Sequence, residues 1–419
     1  MIRLSGSRVR AALDLLAGGV PEPRAAVLRK LYHPDSKEEI DSGLILFFSD
    51  PRSFTGEDLA EFHVHGSNAV IKQLLQALSG LTGFRLAEPG EFSRRALLNG
   101  KMDLSQAEGL ADLIHAETAF QRRNALATSS GKLGQVVSWL RSEMLELLAL
   151  IEAQIDFSDE GDVTGPLEAQ VLERGSRVLG RIERLAGTAV AGERLREGWR
   201  VVIAGPANSG KSALFNALCG REAAIVSPFA GTTRDVNTAY LDVGGYPVIL
   251  MDVAGFRETD DPVEAIGIDR AEKELERADF ILWANAADQA EVSPVHGDAR
   301  VLRILTKGDL GQPRGKGRQP VITSAVGAPG IDALVEAILE RISSTAPGDE
   351  PILIAHERQR RALADSAEAI RTLPISLSRG LEFAAADLRR AVRSLERLTG
   401  AIDVEDVLGV IFSRFCIGK

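Results

Sequence analysis

The spacing of apolar positions along the chain changes character three times. Over residues 1–100 short apolar runs alternate with turn residues: AAVLRKLYH, GLILFFSD and AEFHVHG predict strands, and SNAVIKQLLQALSG predicts a helix with Ser67 as its N-cap. This stretch reads as α+β. From 101 to 197 the period lengthens to that of a helix, with Leu133, Val137, Leu140, Met144, Leu147, Ile151 and Ile155 forming one apolar stripe. DFSDEGDVTGP interrupts it, a second helix is expected from Pro166 to about Val190, and AGERLREG leads into a strand.

Between 198 and 345 the runs WRVVIAG, YPVILMDVAG, FILWANA, VLRILTKGD and QPVITSA alternate with helical segments, which predicts a parallel sheet with crossover helices, an α/β domain. From 346 to 419 the pattern is helical again. HERQRRALADSAEAIRTL comes first, then Leu381, Ala384, Leu388, Val392, Leu395 and Leu398 at helical spacing, then a last helix capped near Asp403. Helix on both sides of the α/β block predicts a helical domain interrupted by an inserted one.

Composition narrows the class. The 419 residues, 45% hydrophobic and 26% charged, suit a soluble globular protein of two to four domains. No apolar run reaches the ~18 residues of a membrane span, and the first residues lack the apolar core of a signal peptide, so a cytoplasmic protein is expected. A net charge of −10 argues against a surface that binds nucleic acid all over; any RNA contact must be local or shared with a partner. His63 and His65 share one strand face but lack further ligands for a zinc-like site, and Trp139, Trp199 and Trp283 are expected in core or interface.

The two cysteines, Cys219 and Cys416, cannot build a disulfide framework. Cys416 stands fourth from the end, in FCIGK. A prenylation box does not fit, because Gly418 and Lys419 occupy positions that need other residues. A buried thiol and a functional thiol on a tail both remain open.

The inserted block carries a series of phosphate and base motifs. GPANSGKS, Gly205 to Ser212, follows a strand and opens a helix, as G-x-x-x-x-G-K-[ST] requires. Its backbone N–H groups suit phosphates, Lys211 suits the β and γ phosphates, and Ser212 offers a hydroxyl to Mg²⁺. DVAG, Asp252 to Gly255, ends the strand YPVILM where a second carboxylate is needed near the metal and a backbone N–H near the γ-phosphate. GTTRD, Gly231 to Asp235, lies between them, where Thr233 could reach Mg²⁺; the bland alternative is a turn without a ligand role. TKGD, Thr306 to Asp309, follows VLRIL: Asp309 can accept two hydrogen bonds from guanine, and Lys307 can lie over the base. TSA, Thr323 to Ala325, offers a backbone N–H to guanine O6 through Ser324 and Ala325. The order resembles translation-factor-type GTPases and favours GTP over ATP. Thr306 replaces the usual Asn, leaving a loop-bracing bond in question, and Phe256 replaces the glutamine that orients water in Ras-like proteins. Spacing does not single out Glu264 among the carboxylates that follow.

Beyond these motifs, SPFAGTTRD, DVAGFRETDDPVEAIGIDRA, SFTGEDLAEFHVHG, PGEFSRRALLNGKMDLSQAE and the final FCIGK together resemble the MnmE (TrmE) family of tRNA-modification GTPases along essentially the whole chain. The resemblance implies an N-terminal folate-binding α+β domain, a helical domain and an inserted Ras-like P-loop G domain. It implies a GTP site built from Asn208, Ser209, Gly210, Lys211, Ser212, Ala213, Ser227, Thr232, Thr233, Asp252, Gly255, Thr306, Lys307, Asp309, Ser324 and Ala325. Mg²⁺ would bind Ser212 and Thr233, and K⁺ would bind groups at Asn208, Ser227, Phe229 and Thr232. Glu264 would orient the attacking water. Arg3, Glu61, Lys101 and Lys419 match positions of the site for a tetrahydrofolate derivative, 5-formyl or 5,10-methylene, and Cys416 matches a tail cysteine that modification needs. The family implies a homodimer that joins MnmG (GidA), an FAD-binding protein, in a heterotetramer. Together they install an aminomethyl-type group at C5 of the wobble uridine of certain tRNAs. Family members ordinarily carry another strand ahead of Arg3–Gly6, and its loss is expected to weaken the folate domain and the dimer. A GTP-dependent switch or ribosome assembly factor that modifies nothing is the alternative.

Overall fold

The computed structural model describes residues 1–156, 164–221, 238–253, 272–293, 299–310, 320–324, 330–346, 351–400 and 415. The chain forms two compact units: Met1–Ala111 with Thr128–Arg174 and Thr372–Lys419, and Asp112–Ala127 with Gly175–Arg371.

In the first unit, β1 (Ile2–Ser5), β2 (Val27–Tyr32), β3 (Glu39–Phe48) and β4 (Leu59–His63) make an antiparallel sheet in the order β1-β4-β3-β2. Period-two alternation buries Ile45 and Phe47 while Leu44 faces outward. The helices Val9–Ala17 and Asn68–Ser79 press Val9, Leu13, Leu16 and Leu74 onto the buried side with Leu31 and Phe62. Each such side chain contributes about 1.5–3 kcal/mol through removal from water. Ser67 caps the second helix as expected, its hydroxyl accepting from the Val70 N–H at 3.3 Å. Strand β1 and the helix behind it were not among the sequence expectations, because four residues, IRLS, carry too little periodicity.

The same unit holds the long helix Lys132–Asp156 against Leu381–Thr399. Leu133, Val137, Leu140, Met144, Leu147 and Ile151 meet Ala384, Leu388, Val392, Leu395 and Leu398 in a buried seam; Ile155 and Leu381 are half-buried at its ends. Arg141 pairs with Glu396 at 2.8 Å and Arg389 with Glu152 at 2.6 Å, so the two helices run antiparallel. Such exposed pairs set register more than stability. Trp139 is 43% exposed on this helix and lies outside the core.

The second unit carries β5 (Trp199–Ala204), β6 (Thr238–Val243), β7 (Tyr246–Asp252), β8 (Phe280–Ala286), β9 (Val301–Thr306) and β10 (Val321–Ile322), ordered β10-β9-β8-β5-β7-β6. Along β5, Val201 and Ile203 face the helices Lys211–Arg221 and Ile331–Thr345, while Val202 and Ala204 pack on Ala278 and Ile281. Burial on both faces explains why β5, β7 and β8 read as nearly continuous apolar runs. The sheet is not wholly parallel: β6 runs antiparallel to β7. Gly244 and Gly245, with φ of +59° and +92°, supply the two left-handed residues that a tight hairpin turn demands.

Two further differences concern helices. The helix expected over Pro166–Val190 spans Thr164–Gly187, and a separate helix, Ala189–Glu197, occupies the stretch read as a lead into β5. Its Glu, Arg and Leu residues are good helix formers, and Gly198 at φ +106° ends it. A short helix, Leu373–Arg379, also precedes Leu381–Thr399. The last helix expected near Asp403 lies outside the described residues.

Candidate functional site

Strand β5 sits where the strand order reverses, with β7 on one side and β8 on the other. The carboxyl ends flanking such a strand form the crevice in which open α/β sheets bind ligands. Gly205 leaves β5 at φ +140°, so close to β8 that a Cβ would stand 2.2 Å from the Ala284 carbonyl oxygen. Asn208 at φ +58° and Gly210 at φ +82° are also left-handed, a backbone pattern that gathers N–H groups into an anion-binding concavity. The loop runs into the helix Lys211–Arg221, with Ala213 in its first turn, so the positive end of a helix dipole faces the same space.

Lys211 is buried and its Nζ donates to the carbonyls of Gly205 at 2.9 Å and Pro206 at 2.7 Å. The Ser212 hydroxyl donates to Asp252 Oδ2 at 2.9 Å, which unites the ends of β5 and β7. A hydroxyl beside a buried carboxylate is an oxygen donor set that suits a hard divalent cation. Thr306 Oγ1 donates to the Ser209 carbonyl at 2.5 Å and lies 3.1 Å from the Asn285 carbonyl.

The base-recognition end is assembled from β9 and β10. Gly308 N donates to Thr323 O at 2.9 Å, Thr323 N to Leu305 O at 2.8 Å, and the Ser324 hydroxyl to Asp309 Oδ1 at 2.5 Å. Lys307, left-handed at φ +53°, is tied to Asp288 at 2.9 Å. The structure therefore brings Asn208, Ser209, Gly210, Lys211, Ser212, Ala213, Asp252, Thr306, Lys307, Asp309 and Ser324 to one edge of the sheet.

In the first unit a cavity of about 880 Å³ is lined by Arg3, Ser5, Glu57, Glu91, Phe92 and Arg95, among others. Pairing of β1 with β4 sets Arg3 opposite Glu61, and the guanidinium donates to Glu61 Oε1 at 2.7 Å while lying 5.7 Å from the ring centres of both Phe54 and Phe92. Burial pushes the Glu61 carboxyl up, but hydrogen bonds from Arg3 and His63 prevail and hold it below its ordinary value. Burial acts the same way on Glu91, and Arg85, the Glu88 N–H and Arg95 override it to bring the carboxyl down to about 2. Glu61 and Lys101 do not line this cavity; Lys101 is exposed, its side chain close to Gly56.

Two family descriptions match: "GTP-binding protein TrmE N-terminus" over residues 1–101 and "MnmE helical domain" over residues 104–416. The tRNA modification GTPase MnmE of Bradyrhizobium sp. (strain ORS 278) is 47% identical over 425 residues, an alignment that covers 100% of this chain and 95% of that protein. Its counterpart in Beijerinckia indica is 46% identical, with 100% and 92% covered, and one from Rhodopseudomonas palustris is 48% identical, with 100% and 95% covered. The chain belongs to the MnmE family of tRNA modification GTPases. Among solved structures, the G domain of the T. maritima FeoB iron transporter aligns with 34% of this chain and 98% of its own, at 25% identity and a TM-score of 0.26.

In this MnmE-family chain several expected site residues lie outside the described residues: Ser227, Phe229, Thr232, Thr233, Gly255, Glu264 and Ala325, with Cys416 and Lys419 in the tail. Other members of the site escaped sequence reasoning. Asn285 is buried, its side chain bridges both ways to the Val292 backbone, and its carbonyl lies within reach of Thr306. A lone amide inside the apolar run FILWANA was the available signal. Asp288, and Arg95 paired with Glu57 at 3.0 Å and Glu91 at 2.9 Å, gave none, because each looks like ordinary surface charge until the fold unites its partners. Cys219 packs against the core of the second unit, and burial pushes its thiol up.

Proposed function

We propose that this chain hydrolyses GTP and couples the hydrolysis to modification at C5 of the wobble uridine of certain tRNAs, as a homodimer that works with the FAD-binding protein MnmG. The carrying observation is the preformed nucleotide crevice, with Asp309 oriented by Ser324, in a chain 47% identical end to end to a tRNA modification GTPase. Asp309 accepts from guanine N1–H and the exocyclic amine, and Lys307 covers the base. Lys211 neutralises phosphate charge. Ser212 and Asp252, with Thr233, would hold Mg²⁺, which supplies charge stabilisation at the phosphates when bound. Asn208, with groups at Ser227, Phe229 and Thr232, would hold K⁺ in place of an arginine finger, and Glu264 orients water where Phe256 cannot.

For the carbon source, the ionised Glu61 and the guanidinium of Arg3 offer acceptor and donor to a tetrahydrofolate derivative, joined by Lys101 and Lys419. Cys416 serves the modification rather than GTP turnover. No described helix is long and apolar enough to cross a membrane, and we place the reaction in the cytoplasm. The test is mass spectrometry of tRNA nucleosides from a strain that lacks the protein, alongside calorimetry with GTP and ATP. Loss of the aminomethyl-type wobble uridine and a strong preference for GTP are expected. Normal nucleosides with intact GTP binding would instead leave a GTP-dependent switch or ribosome assembly factor.

A further inference from the structure

The outer face of the helix Leu381–Thr399 carries Arg389, Arg390, Arg393 and Arg397, all exposed. At about 100° per residue the four fall within about 100° of arc and cover about 12 Å along the axis. Between Leu388 and Thr399 the only carboxylate is Glu396, already paired with Arg141. In a protein of net charge −10 this is a concentrated basic ridge.

The pairs that Arg389 and Arg390 make are easily surrendered. Arg389 and Arg390 remain 50% and 52% exposed beside Glu152 and Asp387, and ion pairs this accessible to water contribute little. Asp387 also accepts from the hydroxyls of Thr372 and Ser376 at 2.8 and 2.5 Å, so releasing Arg390 does not orphan it. Arg393 makes no ion pair among the described residues. Nearly two turns ahead of Arg389, on the same face, Phe383 is 53% exposed and the Arg379 guanidinium lies 5.3 Å from its ring centre. Arginines in line with an exposed aromatic step suit phosphates beside an unstacked base, the combination by which proteins hold RNA.

We infer that this face is a docking surface for tRNA, with Arg389, Arg390, Arg393 and Arg397 on backbone phosphates and Phe383, stacked by Arg379, against an unpaired base. The inference rests on the proposed tRNA modification and adds where the substrate is gripped. It reconciles an acidic protein with a polyanionic substrate, since the contact is confined to one helix face.

The test measures affinity of the full-length protein for an unmodified tRNA transcript across a salt series. The double variant Arg390→Gln/Arg393→Gln should bind about tenfold or more weakly at low salt, and its plot of log affinity against log salt should be shallower by about 1 per arginine removed. Phe383→Ala should weaken binding by about tenfold with the slope unchanged. GTP turnover and melting temperature should match the parent in both. Unchanged affinity and slope in the double variant overturn the surface. So does a double variant that binds tRNA normally but loses an acidic protein partner. If the parent protein does not bind tRNA while wobble uridines in cells are still modified, the surface falls and the functional reading stands. Normal nucleosides in the deletion strain remove the functional reading itself.

Discussion

Thr306 braces Ser209: the threonine hydroxyl at the end of β9 donates to the phosphate-loop carbonyl across 2.5 Å. Related GTPases ordinarily use an asparagine here, and the shorter side chain makes a bracing bond all the same. Both residues are buried, so the bond is unscreened by water. Thr306→Ala deprives the Ser209 carbonyl of its donor at a cost of about 1–3 kcal/mol. GDP and GTP affinity, read by calorimetry, should fall about tenfold, and Thr306→Asn should recover most of it. Equal affinity in the alanine variant would show that the loop needs no brace.

Asp309 presents one oxygen to Ser324 at 2.5 Å, which fixes the carboxylate plane before the base arrives. Asp309→Asn replaces an acceptor by a donor on the side where guanine presents N–H groups. Affinity for GTP should drop about 100-fold, of the order expected when a charged hydrogen bond is lost and its partner left unpaired. The amide can meet the C2 carbonyl of xanthine instead, so a xanthosine nucleotide should bind the variant better than GTP does. Unaltered base preference would place guanine recognition elsewhere.

How much was legible depended on where the information sits. Strands β5, β7 and β8 were readable because burial on both faces makes each a nearly continuous apolar run, β9 because only the exposed Arg303 interrupts VLRIL, and Gly205–Ser212 because a phosphate loop encodes its geometry in local sequence. Strand β6 was missed although its Gly244–Gly245 turn was in plain view; with only Leu241 and Val243 buried at its end, the run TAYLDV has weak periodicity. The Arg3–Glu61 pair follows from β1–β4 register, a relation between residues 58 positions apart that no local pattern carries. The Thr306–Ser209 bond, 97 positions apart, is of the same kind.

Acid should weaken the N-terminal domain through Glu91. Its carboxyl, 12% exposed, sits between Arg85 at 2.6 Å and Arg95 at 2.9 Å, with a folded value of about 2 against an ordinary 4.5. Because the folded value is the lower one, the stabilisation is complete above about 4.5 and is lost as pH falls from there toward about 2. Glu91→Gln should cost up to about 3 kcal/mol at neutral pH. The difference between variant and parent in urea unfolding should shrink to nothing across that acid window. A difference that persists at low pH would point to lost packing instead of lost charge.

Cys416→Ser should separate GTP turnover from tRNA modification. If the tail thiol serves modification alone, GTP turnover should be unchanged while the modified wobble uridine disappears from cellular tRNA. Normal nucleoside profiles in this variant would return the thiol to a structural role.

Potassium dependence is the sharpest test of how the phosphate end works. Asn208 holds a left-handed conformation, φ +58°, which asparagine adopts more readily than other residues with a side chain, so the loop can turn here and still place an amide oxygen beside the phosphate site. In place of an arginine finger, a monovalent cation held by that amide would neutralise charge developing between the phosphates, and K⁺ fits a site made of neutral oxygens. Turnover in KCl should exceed that in NaCl at equal ionic strength by about tenfold or more, and Asn208→Ala should erase the difference while leaving GDP affinity within a few-fold of the parent. Equal rates of the parent protein in the two salts would discard the cation and require a protein side chain to supply the charge.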